Sequence, residues 1–192
     1  QKSAVAIRNV LNIARDADVE RIVVASSAVT VAGGSEGGES VDESQFYLPG
    51  TAGDHFVEAA YGVEQECFRQ AADGQSVSML NPSLVVGPGA RFPARSQLED
   101  AGDERPVNWV DIERVARAHR LALERGGRGE RYLVGGTDGT LGEFYRVVQG
   151  RDEVAVEEGH PWSWGKKPYR NRYLLSGGGW LDDRKAEQKL GL

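Results

Sequence analysis

The chain has 192 residues, 40% of them hydrophobic and 27% charged, an ordinary balance for a globular protein with enough length for one real core. Its formal charge of −6 argues against a nucleic-acid or anionic-membrane surface, and the basic residues are scattered apart from a cluster between Lys166 and Arg172. The single cysteine, Cys67, excludes an intrachain disulfide framework, and three histidines do not make a dense metal-ligand set, so no metal site is expected.

No run approaches the roughly 18 apolar residues of a spanning helix, and no signal-peptide pattern is present, so the expectation is a cytoplasmic protein with no membrane partner. The opening at Gln1 rather than methionine points to a chain that is processed, trimmed or incompletely represented.

Residues 4–17 place Val5, Val10, Leu11 and Ala14 on one helical stripe, with Ile13 beside it. The run Arg21–Ser27, RIVVASS, follows. Continuous apolarity over so short a stretch suits a strand buried on both faces of a parallel sheet. Ser26 and Ser27 fall just past its carboxyl end, where open α/β sheets place binding and chemistry. Residues 28–53, with AGGSEGG and then VDESQFYLPG, read as a long surface loop.

A helix is expected from about Asp54, a plausible cap, to Ala72. Gly62 inside it costs up to about 1 kcal/mol against alanine, which suggests close packing there. Ser76–Asn81 reads as the next strand and runs into PSLVVGPG. Residues 90–105 carry no clear pattern.

Asp111 then caps a helix through Ala122 that buries Ile112, Val115, Ala118 or His119, and Leu121 or Leu123. Arg131–Val134 reads as a strand, Gly135–Thr140 as a turn, and Leu141–Val148 as a short helix. Residues 149–180 show no dependable period, and the closing LDDRKAEQKLGL forms a terminal helix. Helices alternating with short apolar strands give an α/β class.

Six segments in order carry a resemblance: RNVLNIARDADVERIVVASSAVTV, the acidic VDES, VEQECFRQAADG before SVSMLNPSLVVGPG, PVNWVDIERVARAHRLALERG, GERYLVGGTDGTLGEF, and DRKAEQKLG. Together they resemble the extended short-chain dehydrogenases/reductases, in the NAD-dependent epimerase/dehydratase group with its hopanoid-associated epimerase-like and dihydroflavonol-reductase-like members.

The resemblance implies a doubly wound parallel sheet, Rossmann-like and NAD(P)-binding, with a smaller C-terminal substrate domain. Residues 1–89 match the second half of the nucleotide-binding domain. Residues 90–192 mix substrate-domain segments with returning Rossmann elements at 106–134. The family's first strands, its glycine-rich phosphate turn and parts of its substrate domain have no match. AGGSEGG precedes an acidic loop rather than a helix, so it reads as a loop and not a phosphate cradle. The chain is either a shortened relative or one with segments omitted. The second is favoured, because a sheet beginning at its fifth strand leaves an apolar edge open.

The family works with Ser/Thr, Tyr and Lys, the last two four apart on one helix face. Ser27 matches the serine; its alternative is a strand-end hydroxyl bonded to local backbone. The glutamate that follows the family lysine by four residues matches Glu64, which puts Ala60 at the lysine place and Phe56 at the tyrosine place. Tyr61 and His55 are weaker substitutes as acid or base. Ala25, Ser26, Pro82, Ser83 and Leu84 are the positions matching the cofactor's nicotinamide end.

Asn108, Trp109 and Asp111 match a structural segment joining the two domains. His119 suits interhelical packing, Gly135 and Gly136 a turn, and Arg91 and Arg95 solvated loop positions. His160, Trp162 and Trp164 are pocket-lining candidates without geometry.

Two functions stand open. One is an atypical NAD(P)-binding reductase/epimerase-like protein for a small alcohol, ketone or sugar-type substrate, with standard hydride transfer impaired. The other is a non-catalytic relative acting as a binding or scaffold subunit. NAD or NADP is expected if the family's N-terminal half exists, and otherwise no cofactor. A homodimer through helices 4–17 and 54–72 is implied, and no nucleic-acid partner.

Overall fold

The computed structural model describes residues 2–32, 40–50, 55–95, 102–157 and 180–192. In chain order the elements are α1 (Lys2–Asp16), β1 (Ile22–Ala25), α2 (Val29–Ala32), α3 (His55–Ala72), β2 (Val77–Pro82), β3 (Leu84–Val86) and β4 (Arg91–Pro93). Then come β5 (Pro106–Asp111), α4 (Ile112–Arg125), β6 (Arg131–Val134), β7 (Thr137–Thr140), α5 (Leu141–Gln149), β8 (Ala155–Glu157) and α6 (Arg184–Leu190). Asp54, the glycine-rich loop, His160, Trp162 and Trp164 lie outside the described residues.

A parallel sheet of order β1-β2-β6 forms the centre, with Ile22 opposite Val77 and Met79 opposite Arg131. Because strand side chains alternate between faces, neighbouring residues feed different layers. Val24, Val77 and Met79 pack with Leu11 of α1 and Cys67 of α3. Val23 and Leu80 go to the other face, with Val115, Ala118, Leu121 and Ala122 of α4 and Ala186 and Leu190 of α6. Helices on both faces of a parallel sheet make the doubly wound arrangement the segments implied.

A second sheet, β3-β5-β7, continues from the first through Ser83, with β5 parallel to β3 and antiparallel to β7. It shares a core of Trp109, Leu141, Phe144 and Val148, in which the Phe92 and Phe144 rings meet edge-on at 4.9 Å.

The two edges of the central sheet differ. Along β6 the outward backbone groups are met by side chains: the Glu43 carboxylate accepts from Leu133 N (2.7 Å), Asp183 from Gly135 N (3.1 Å), and Lys185 donates to Arg131 O (2.9 Å). Charged covers of this kind blunt an edge against further pairing. Along β1, among the described residues, only β2 pairs.

Several expectations need correction. Of the α1 stripe only Leu11 is buried; Val5, Val10 and Ile13 face outward, because the helix turns the side of Ala4, Arg8, Leu11 and Asn12 toward α3. There the two helices run parallel, and a Cβ on Gly62 would sit 3.5 Å from that of Ala4, an ordinary contact. β1 is only partly buried rather than enclosed on both faces, as suits a sheet edge.

In α4, Ile112 and Leu123 are exposed and Val115, Ala118, Leu121 and Ala122 are buried, while Asp111 caps the helix through Glu113 N as expected. Residues 137–140 form a strand rather than a turn, because their backbone pairs with β5. The patternless stretches around 92 and 156 pair with each other as β4 and β8.

Candidate functional site

Everything converges where β1 and β2 end. Ser26 N bonds Leu80 O (2.7 Å) and Ala28 N bonds Pro82 O (2.9 Å), so the two strand ends stay in register past the sheet. Over them lies α3, which runs back toward β2 and so holds its N-terminal turns beyond the strands' carboxyl ends.

The centre of this region is Glu64, 1% exposed. Its Oε1 accepts from Ser26 Oγ (2.5 Å), Thr30 Oγ1 (2.6 Å) and Asn81 Nδ2 (2.5 Å). Its Oε2 takes Arg131 Nη1 (3.1 Å), in a pair whose side chains are 1% and 4% exposed. Two charges can be taken out of water only when their remaining hydrogen-bonding sites are also met, and here they are. Arg131 also donates to the carbonyls of Glu43 and Gln45 and lies 4.2 Å from the centre of the Phe46 ring. The pair thus ties β1, β2, α2, α3, β6 and the 43–46 loop together.

That loop then feeds Tyr47 inward. Its ring meets Tyr61 edge-on at 5.7 Å, and its hydroxyl donates to Glu58, which also accepts from Gly50 N. Those donors hold the Glu58 carboxyl below the usual carboxylate range, Tyr47 contributing most. Burial pushes the Glu43 carboxyl up, against the pull of Leu133 N. Burial likewise raises the Cys67 thiol to about 12, which leaves it inert as a nucleophile.

The two serines at the strand end have different fates. Ser26 spends its proton on Glu64. Ser27, 5% exposed, has its Oγ 3.5 Å from Val29 N, while its backbone carbonyl is gripped by Asn81 Nδ2 (3.1 Å). Among the described residues its hydroxyl proton has no acceptor.

Phe56 is 48% exposed on the first turn of α3, beside the exposed His55. Ala60 follows one turn later and Glu64 one turn after that, so the three share a stripe. Tyr61 is half-buried against Tyr47. Ala25 is exposed, Pro82 and Ser83 are buried, and Leu84 packs into the second core with Trp109 and Phe144.

Asn108 bridges Asp138 (2.7 Å) and Gly136 N (3.1 Å), and His119 Nδ1 lies 2.8 Å from Val115 O; both are structural placements. Arg91 is exposed, and Arg95 pairs with Asp103.

Glu64 served in the sequence only to register the helix. Its partner Arg131 lies 67 positions away, a separation at which no periodicity signals a pairing. The fit to a dinucleotide is partial. Asn81 Oδ1 and Ser83 Oγ are buried at a strand carboxyl end without a partner, which suits a ring-bearing end. Among the described residues no glycine-rich turn leads from a strand into a helix, so nothing here suits the pyrophosphate.

A helix-covered parallel sheet with its polar cluster at the strand ends defines the Rossmann-like class, and known proteins agree. No protein-family profile matches the chain. A Synechocystis protein named "Putative dihydroflavonol 4-reductase" is 32% identical over 142 residues, which cover 67% of this chain and 41% of that protein. Sterol demethylase protein B of Methylococcus capsulatus is 30% identical over 168 residues, 83% of this chain and 49% of that one.

Among solved structures, a nucleoside-diphosphate-sugar epimerase from Pseudomonas aeruginosa superposes with a TM-score of 0.67 at 21% identity, over 100% of this chain and 68% of that one. The dTDP-glucose 4,6-dehydratase DesIV from Streptomyces venezuelae, with NAD and TYD bound, also gives 0.67, at 22% identity over 96% of this chain and 58% of its own. The chain belongs to the extended short-chain dehydrogenase/reductase group, among its epimerase/dehydratase-like members. It spans less than half the length of the curated relatives it matches.

Proposed function

We propose that this chain forms the substrate-side half of an NAD(P)-binding reductase/epimerase-like protein for sugar-type or similarly small alcohol and ketone substrates, with altered acid–base chemistry. The observation that carries the reading is the division of labour at the strand end. Glu64 takes the Ser26 proton while Asn81 and Thr30 hold the Ser27 carbonyl, which leaves the Ser27 hydroxyl available to a ligand oxygen.

When bound, the cofactor supplies the hydride. The chain's own part is to orient the substrate oxygen through Ser27 and to exclude water with the aromatic loop 46–47. At the family's tyrosine and lysine places stand Phe56, with no proton to give, and Ala60, with no charge. A positioned acid–base pair is worth about 10²–10⁴-fold, so ordinary carbonyl reduction is expected to be slow by that order.

The relatives with reductase and demethylase names, and the fold shared with NAD-bound sugar dehydratases, support the cofactor and substrate classes. A homodimer through α1 and α3 belongs to the same reading, supported by Val5, Val10 and Ile13 on the outer face of α1, 51%, 57% and 68% exposed.

Titration of NADH and NADPH by fluorescence, with and without a panel of nucleotide sugars, tests the proposal. Saturable binding together with weak turnover that Ser27→Ala abolishes is the expected result. Phe56 and Ala60 favour the second reading, a non-catalytic binding or scaffold subunit; binding with no turnover, unchanged by Ser27→Ala, selects it.

A further inference from the structure

Residues 41–50 cross the strand-end region as a strap that is tied down mainly by polar bonds. At one end Val41 pairs with Leu181, donating its N–H to Trp180 O (2.8 Å) and accepting from Asp182 N (2.9 Å). In the middle Arg131 donates to the carbonyls of Glu43 and Gln45. At the far end Tyr47 N reaches Thr30 O (3.0 Å) and Gly50 N reaches Glu58 (2.6 Å). Val41 and Tyr47 are buried, whereas Phe46 and Leu48 are 62% and 68% exposed. A segment with so few buried apolar contacts opens at low cost. The two buried side chains rest on Ala28, Val29 and Val31, directly after Ser27, so opening the strap uncovers that turn.

Glu43 differs from the other anchors. Its carboxylate is buried and, besides its own N–H, accepts from Leu133 N (2.7 Å) on the outer edge of β6. Val41 and Leu133, on either side of this contact, belong to an apolar cluster with Ala28, Val31 and Leu181. Among the described residues no cation pairs with it. Arg131 of β6 is taken up by Glu64 of α3 and the two carbonyls, and Lys185 of α6 by Arg131 O and Glu130. Lys185 favours the ionised form from a distance, and Asp42 beside it opposes that form. Asp182 of α6, itself paired with Arg184, faces Asp42. Burying a carboxylate without a paired cation costs more than so few donors return. Burial accordingly holds the Glu43 carboxyl above its ordinary 4.5.

We infer that residues 41–50 are a pH-gated strap over the Ser26–Ser27 turn, with Glu43 as its latch on the β6 edge. Protonated, Glu43 still accepts from Leu133 N through its carbonyl oxygen and stays buried at little cost. Ionised, it gains by leaving for water, and the strap leaves with it, withdrawing its carbonyls from Arg131. A carboxyl raised in the folded state contributes stability that is present below its unfolded value and lost as pH rises through its folded one. Docking is therefore strongest in acid and weakens as pH rises above about 4.5.

Hydrogen–deuterium exchange of the full chain, corrected for the intrinsic pH dependence of exchange, tests this without any ligand. The amides of Val41, Tyr47 and Leu133 report the strap, and Ser26 N, bonded to Leu80 O, reports the sheet. In the wild type, protection of the strap amides should fall several-fold between about pH 5 and about pH 8 while Ser26 is unchanged. Glu43→Gln, an acceptor that cannot ionise, should abolish the fall. Asp42→Asn, a change at an exposed position, should shrink it, because Asp42 helps to keep Glu43 neutral.

Equal wild-type protection at the two pH values, a fall that persists in Glu43→Gln, or a fall shared by Ser26 overturns the strap. Should Glu43→Gln not fold, an Asp42→Asn profile identical to the wild type overturns it. Each of these outcomes leaves the proposed function standing, since the exchange involves no cofactor or substrate.

Discussion

From Glu64 to Gln70, α3 adds to the apolar packing of Cys67 and Phe68 a set of charge and amide bonds to its neighbours: Glu64 with Arg131, Glu66 with Arg8, Gln70 with Asn12 and Arg15. From His55 to Ala60 the same helix presents Phe56, Ala59 and Ala60, and its one anchored charge, Glu58, serves the loop at Tyr47 and Gly50. The first region builds the site, and the second is where a proton donor and a cation are expected. On the proposed reading, the buried framework and the acid–base stripe fall on separate turns of one helix.

If that division is right, changes in the two halves should have different signatures. Glu64→Ala leaves Arg131 buried and unpaired and should cost about 3–5 kcal/mol, enough to unfold much of the protein; chemical denaturation measures it. Glu64→Gln keeps an acceptor for Ser26 and Thr30 and should cost less. Equal stability of wild type and Glu64→Ala would break the comparison.

Ser26→Ala and Ser27→Ala sharpen it further. The first removes one of three donors to Glu64 Oε1 and should cost about 1 kcal/mol, whereas the second should stay within about 0.5 kcal/mol and act only on ligand handling. Parallel melting and ligand titration separate the two.

The smallest effect is electrostatic. The Arg8 guanidinium, with help from Arg69, holds the Glu66 carboxyl at about 2, below its ordinary 4.5. A depressed carboxylate contributes stability that is present above its unfolded value and is lost as pH falls through its folded one. The α1–α3 clasp should therefore survive at pH 5 and weaken between about pH 4.5 and pH 2. Glu66→Gln should flatten that part of the pH–stability curve while leaving the plateau only slightly lower, because Arg8 and Arg69 are nearly half exposed and solvent screens them.

Most of the fold was legible because it rests on local signals. The apolar run before Ser26, the Asp111 cap and the period of α3 each lie within a few residues. The α1 stripe misled because Val5, Val10 and Ile13 are apolar yet face away from α3; periodicity finds an apolar face but not the surface that covers it. β7 was read as a turn since TDGT has turn composition, and only its pairing with β5 makes it a strand.

In the candidate site, the strand end singles out Ser26 and Ser27 from the sequence. Asn81, Thr30 and Arg131 were missed. Their roles depend on the approach of Glu64 from a distant helix, and a lone arginine before YLV reads as a strand's polar lead rather than half of a buried ion pair.

The central claim, carried over from the proposed function, is that the buried Glu64–Arg131 cluster at the strand ends supports a ligand site whose acid–base stripe, at Phe56 and Ala60, is apolar. The most direct measurement is the steady-state rate of NADH consumption by the Phe56→Tyr/Ala60→Lys double variant against a panel of ketone and nucleotide-sugar substrates, relative to wild type. An increase of about 100-fold at unchanged cofactor affinity is predicted. An unchanged rate in a variant that folds and binds cofactor as wild type does would contradict the claim.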